Sequence, residues 1–253
     1  MPDLAPIAAL VGSDAWVEQF SLLLRAHGFD PVHHTDQSNY IHKLVDDHTA
    51  LIVVDALADD WQFWVTAAKT QQATRRIPVL VVAQNEDFQQ EALSIGADDY
   101  LSMAEFDIQR IKALARLPDS VRLEQLACQC RESLPPQGQL ALQKFNAGEY
   151  YNQHDLFELL WMQETGPVRD LYRAILQVGI AYYHIVQGNH RGALKMLLRC
   201  IQWLAGLPDV CQGVDVQQLR EDAARVREVL QTMNPEEIGS FDRTLLKPVR
   251  WSE

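Results

Sequence analysis

No apolar run in the 253 residues approaches the about 20 needed to cross a bilayer as a helix. No charged-then-apolar leader opens the chain either, so a cytoplasmic protein with no membrane contact is expected. Positive charge is scarce: 22 Lys and Arg stand against 34 Asp and Glu, a net charge of -12. That balance argues against nucleic acid as a partner, because phosphate backbones need clustered cations. The deficit is largest in the first half, where residues 1–118 hold 17 acids against 8 bases; the remainder holds 17 against 14. Cysteine is rare too. Cys128, Cys130, Cys200 and Cys211 fit neither a paired C-x-x-C zinc pattern nor a secreted disulfide framework, and are expected to be reduced packing thiols. Nucleophile elbow, P-loop and G-x-G-x-x-G are all missing, which removes the enzyme classes built on them; no cofactor is expected.

What is present is alternation. Short apolar runs at Ile7–Ser13, Asp30–Asp36, Leu51–Asp55, Ile77–Ala83 and Asp99–Leu101 are separated by stretches with helical spacing. These are Ala15–His27, Asn39–Asp47, Trp61–Gln72, Phe88–Ile95 and Phe106–Arg116. Strands that are apolar without interruption are covered on both faces, which calls for a parallel sheet. Five such units in about 110 residues predict a flavodoxin-like doubly wound α/β fold with strand order 2-1-3-4-5. In that order Asp55 lies at the carboxyl edge, beside the first strand, where such folds bind ligands.

Leu51 to Asp55, Ile77-Pro78-Val79 and Gly96-Ala97-Asp98-Asp99-Tyr100-Leu101 resemble the receiver domain of two-component response regulators. The resemblance implies phosphoryl transfer to an aspartate, which needs a divalent cation held by acids beside the acceptor. Asp55 keeps the acceptor position. Gly12-Ser13 stand where the acid pair is needed, with Asp14 displaced onto the helix start as an N-cap. Ala83 replaces the hydroxyl, and Ser102 or Met103 replaces the lysine. Without the acids there is no cation site, so Asp55 is read as a degenerate phospho-acceptor position.

The second half is expected to be all-α. Val121–Arg131 predicts a connecting helix stopped by Leu134-Pro135-Pro136, and Gln139–Ala147 the first helix of a new domain. Two helical hairpins follow, turning on Gly148 and on Gly188. From Pro167 to Gln187 the chain is apolar nearly all round, so this helix is buried, and its polar exceptions Arg173, Gln177 and His184 share one narrow stripe. Val216–Met233 predicts a last amphipathic helix. The expected divisions are a receiver-like domain at 1–118, a helical linker at 119–137, a helical domain at 138–235 and a tail at 236–253, poorly ordered except for Phe241, Leu245 and Trp251.

Phe145-Asn146-x-Gly148-x-Tyr150-x-x-x-His154-Asp155-x-x-Glu158-x-x-Trp161, then Gln177, Tyr183-His184 and Gly188-Asn189-x-x-Gly192-Ala193, resembles the family called domain of unknown function 309, over residues 138–207. That resemblance implies a compact helical domain without an assigned reaction. Independently of it, Gly148 and Gly188 lie 40 residues apart, each before a helix ending in tryptophan (Trp161, Trp203), a spacing in the range of tetratricopeptide-type hairpins that bind protein partners. Asn146 is expected to close its own turn.

His154 and Glu158 are neighbours on one helix face, with Trp161 a turn further and His184 offered by the next helix. Two readings stand. One is a buried polar network, with Glu158 accepting from His184 or Arg173 and His154 bonding near the Asn146 turn. The other is a metal held by His154, Glu158 and His184. The first fits a non-enzymatic regulatory adaptor: a phosphorylation-incompetent receiver-like domain, serving as docking surface or homodimer face, joined to a helical domain that engages an unidentified protein partner. The second fits a metal-dependent enzyme of unknown reaction.

Overall fold

Each uninterrupted apolar run of the first half forms a strand covered on both faces. A computed structural model describes residues 5–117 and 119–252, and the chain divides into two units, 1–117 and 118–253. In the first unit the elements are β1 (Ile7–Val11), α1 (Asp14–Ala26), β2 (Asp30–His33), α2 (Tyr40–Asp46), β3 (Leu51–Asp55), α3 (Trp61–Thr70), β4 (Val79–Ala83), α4 (Gln89–Ser94), β5 (Asp99–Ser102) and α5 (Ile108–Leu114). All pairings are parallel and the order is β2-β1-β3-β4-β5, as expected. Alternate residues serve opposite faces: Ala9, Val11, Ile52, Val54, Val79 and Val81 pack under α2, α3 and α4, and Ala8, Leu10, Leu51, Val53, Leu80 and Val82 under α1 and α5.

Local chemistry sets the boundaries. Ser13, not Asp14, caps α1, its hydroxyl accepting from the Trp16 N–H at 3.4 Å. Asp98 starts two strands at once: its carboxylate accepts from the Val79 N–H at 2.7 Å and pairs with Lys69, whose ammonium also donates to the Ile77 carbonyl. The second strand ends at His33 rather than Asp36 because His34 turns inward. Its ring meets Tyr40 edge-on, with centroids 5.5 Å apart, and neither ring nitrogen finds a hydrogen-bond partner among the described residues.

Burial, helped by the charges of Lys43 and His33, holds the His34 pKa down to about 4. The unfolded chain takes up that proton near the ordinary value of 6.5, while the folded unit resists until about 4. This contribution to stability is therefore complete above the unfolded value and lost as pH falls toward the folded one. Between about pH 7 and about pH 4.5, wild type should lose roughly 2 kcal/mol more than His34→Phe in denaturant titrations. Equal pH slopes would refute the assignment.

The second unit is built on α9. Its elements are α6 (Ser120–Gln129), α7 (Pro136–Asn146), α8 (Asn152–Gln163), α9 (Arg169–Val186), α10 (His190–Leu204), a hairpin of β6 (Val210–Cys211) and β7 (Val214–Asp215), and α11 (Val216–Thr232). Gly148 and Gly188 adopt φ of +79° and +74°, the left-handed stop that turns α7 into α8 and α9 into α10. The helix expected as a free linker, α6, folds with this unit. Its last turn is tied down, with Leu126 in the core and the Gln212 N–H bonded to the Cys130 carbonyl at 2.8 Å.

Three expectations are corrected here. Cys130 and Cys211 are joined in a disulfide rather than reduced; Cys128 is an exposed thiol and Cys200 a buried one, pushed by burial up to about 12. Within the otherwise helical unit, the short β6–β7 hairpin carries Cys211 to Cys130. More of the tail is packed than Phe241, Leu245 and Trp251: Ile238 and Val249 are buried beside Phe241, and Trp251 bridges to Val214. Asn146 holds it. Rather than closing its own turn, Asn146 donates Nδ2 to the Val249 carbonyl at 2.9 Å and accepts from the Val249 N–H at 2.8 Å. Asn146→Ala should cost about 1–3 kcal/mol of stability in this unit and speed amide exchange at Val249. Unchanged exchange there would contradict the clasp.

Candidate functional site

Two places concentrate chemistry. The first is the carboxyl edge of the sheet. Parallel pairing puts Val11 beside Val54, Asp55 beside Val82 and Ala83 beside Ser102, so Gly12, Asp55, Ala83 and Ser102 meet at one end. Asp55 is 6% exposed, and its carboxylate accepts from the Leu57 N–H at 3.0 Å. Burial raises its pKa above the ordinary carboxylate value, against the pull of that bond. Gly12 is wedged: a Cβ there would lie 2.6 Å from Cε3 of the Trp16 indole and 3.1 Å from the Asp55 Cβ. The indole, stacked on Phe20 at 4.8 Å, fills the space that an acid at position 12 would need. Ser102 is used locally, donating to the Gln84 carbonyl and accepting from the Ala104 N–H. Asp55 forms no ion pair among the described residues. Asp14 projects into solvent, 3.7 Å from His33.

The second place is a trough on the helical unit. α9 packs against α8 on one side and α10 on the other. At 100° per residue His154, Glu158 and Trp161 share one face of α8, Arg173, Gln177 and His184 one face of α9, and Gly192, Met196, Arg199 and Trp203 one face of α10. Contacts fix these faces against each other at both ends. The Arg173 guanidinium lies 4.7 Å from the Trp161 ring and 3.9 Å from that of Trp203, sandwiched between α8 and α10. At the other end Tyr151 meets Tyr183 at 5.4 Å, and a Cβ on Gly192 would come 2.9 Å from His184 Nδ1. Most of these side chains are half-buried; Gln177 and Trp203 are buried, each 8% exposed.

Neither expected arrangement of His154, Glu158 and His184 forms. The His154 ring bonds Asp155 at 3.1 Å and stacks on Tyr151, while Glu158 makes no side-chain hydrogen bond among the described residues. Those two and Asp155 offer ligand atoms within 4.8 Å of one another, but His184 lies outside the group. It is held instead by Asn189, whose Nδ2 is 3.1 Å from His184 Nδ1 and whose Oδ1 caps α10 by accepting from the Gly192 N–H at 2.8 Å. Burial lowers the His184 pKa. The physical reason is the tight approach of α10, which takes His184 for its own N-terminus. Sequence reading put Arg173, Gln177 and His184 on one stripe of α9 and missed the Trp203–Arg173 stack. Its signal was the matching tryptophan after each glycine turn.

Residues 139–196 match the family model described as domain of unknown function (DUF309). An uncharacterized protein of Aquifex aeolicus (strain VF5) is 26% identical over 97 residues, 38% of this chain and 27% of that protein. The chain thus aligns with about a quarter of that relative's length. Solved structures similar to the chain include receiver proteins. The Vibrio cholerae chemotaxis protein CheY4 is 17% identical and covers 44% of this chain and 98% of its own, with a TM-score of 0.37. The receiver domain of sensor histidine kinase PA1611 from Pseudomonas aeruginosa PAO1 is 18% identical, over 43% of this chain and 93% of that one, at 0.37. Full-length FixJ from B. japonicum is 18% identical, over 76% and 97%, at 0.35. The fold assignment of the first unit rests on its strand order and pairing rather than on these scores. The DUF309 match covers α8, α9 and the start of α10, which is most of the trough.

Glu158→Ala, removing a side chain without a bond, should change stability by no more than about 0.5 kcal/mol. Arg173→Met, removing a cation between two indoles, should cost about 1–3 kcal/mol. Thermal melts of both in chelator and in zinc check the pair; a large metal-dependent loss for Glu158→Ala would restore the metal reading.

Proposed function

We propose that this protein is a non-enzymatic regulatory adaptor, with a first unit that does not accept phosphoryl groups and a helical unit that recognises a partner. A receiver-like unit beside a DUF309 segment is the organisation of a regulatory protein. The observation that carries the finer reading is the wedge at Gly12. Phosphoryl transfer to a carboxylate depends on a cation that neutralises charge and aligns the donor. A cation beside Asp55 would need a second acid at the end of β1, and the Trp16 ring occupies that space. Burial also favours the neutral form of Asp55, which makes it a poorer nucleophile. The edge keeps the shape of a phosphorylation site and lacks its electrostatics. Regulation then runs through surfaces: the first unit as a docking face or a homodimer face, the second through its trough.

Incubation of the full chain with acetyl phosphate and magnesium, read by intact mass, should show no phosphate adduct. A stoichiometric adduct in wild type that disappears in Asp55→Asn would overturn the proposal.

A further inference from the structure

We infer that the Cys130–Cys211 disulfide is a redox switch. A small thiol opens it at Cys130, and opening loosens the end of α6, the β6–β7 hairpin and the tail while the core around α9 stays folded. The device involves neither Asp55 nor the trough, and it stands apart from the adaptor reading.

Access decides where exchange takes place. Cys211 is fully buried, whereas Cys130, at the C-terminal end of α6, is half-buried. A cavity of about 330 Å3 lies alongside. Its walls include Arg131 and Gln212, the residues that follow the two cysteines, together with Gly213, Trp251 and Ser252. A small thiol therefore has room beside the bond. Attack by a thiolate RS⁻ on the Cys130 sulfur joins R–S to Cys130 and expels the Cys211 thiolate, which takes up a proton. A second RS⁻ then attacks the sulfur carried by R, releasing RSSR and the Cys130 thiolate, which is protonated in turn. The net change is one protein disulfide and two small thiols giving two protein thiols and one small disulfide.

The hairpin supplies the response. Its turn passes through Gln212 at φ +51° and Gly213 at +77°, and a glutamine adopts the left-handed conformation at a cost. Such backbone persists only where its surroundings hold it. Here the restraints are the disulfide, the Gln212 N–H bond to the Cys130 carbonyl at 2.8 Å, and the Gln212 side chain, which accepts from the Tyr172 hydroxyl at 2.9 Å. Losing the covalent one lets the turn relax, and the tail is keyed to that turn. The Asp215 N–H donates to the Arg250 carbonyl at 2.9 Å, the Ser252 N–H to the Gly213 carbonyl at 3.0 Å, and Val214 bridges to Trp251. Through Val249 the same tail reaches Asn146, at the end of α7. The large buried cluster around α9, with Leu142, Phe145, Phe157, Tyr172, Ile175 and Leu197, draws little on either sulfur, so the loosening stays local.

The test uses the full chain carrying Cys128→Ser, which removes the exposed free thiol and leaves only the buried Cys200 beside the pair. Native protein is held in glutathione buffers of rising reduced fraction, then alkylated and read by intact mass and peptide mapping, with hydrogen exchange followed on parallel aliquots. Cys130 and Cys211 should become alkylated together without denaturant, a transient glutathione adduct should appear on Cys130, and oxidised glutathione should restore the bond. In the reduced state amide exchange at 126–130, 211–215 and 249–252 should speed about tenfold or more, with α9 unchanged. Cys211→Ser should reproduce that pattern in every buffer. A bond that persists in reduced glutathione until denaturant is added would overturn the inference and make the disulfide a permanent staple. So would an adduct on Cys211, exchange unchanged by reduction, or loss of α9 protection on reduction or in Cys211→Ser.

Discussion

The helical unit depends on one constraint, the burial of α9. Eleven of its eighteen residues are buried, so a helix with Arg173, Gln177 and His184 on it must still find those side chains a place. α8 and α10 both pack on α9, and its polar stripe is half-buried at Arg173 and His184 and buried at Gln177. Everything in the trough follows from that division. Arg173 lies half-buried against two indoles, and its charge acts on the Asp170 carboxylate. His184 is satisfied by Asn189, the residue that also caps α10. Gln177, midway, is left with a buried acceptor and nothing to bind.

In the first unit, topology fixes where a residue lies and its neighbours fix its surroundings. A parallel sheet in the order β2-β1-β3-β4-β5 delivers the end of β3 to a crevice whatever residue stands there. Asp55 is therefore placed by topology alone. Its surroundings are set by side chains, and these are apolar or locally used: an indole over Gly12, a methyl at Ala83, and a hydroxyl at Ser102 that caps the next turn. Desolvation pushes the carboxyl toward its neutral form.

Much of this was legible in the amino-acid order, and the boundary is physical. Apolar runs and helical spacing are local, so the strands, their parallel order and the α9 stripe could be read directly. Glycine stops are local too, and Gly148 and Gly188 both take the left-handed conformation. What failed was long-range. The Cys130–Cys211 bond spans 81 residues, and the Asn146–Val249 clasp spans 103, with no spacing rule connecting either pair. The expected His154–Glu158–His184 cluster failed because helix faces were known while the axial offset between helices was not. Asn189, which caps α10, bonds His184 instead. Trp16 closing the Gly12 position likewise depends on how α1 lies on β1.

The central claim is that the crevice at Asp55 holds no divalent cation. Paramagnetic broadening tests it most directly: 15N-labelled full-length protein titrated with manganese, read at the amides of Gly12, Asp55 and Ala56. The account predicts that these resonances keep their intensity at manganese concentrations that bleach surface acids such as those around Asp155. Selective early loss of signal at Gly12 and Asp55 would contradict it.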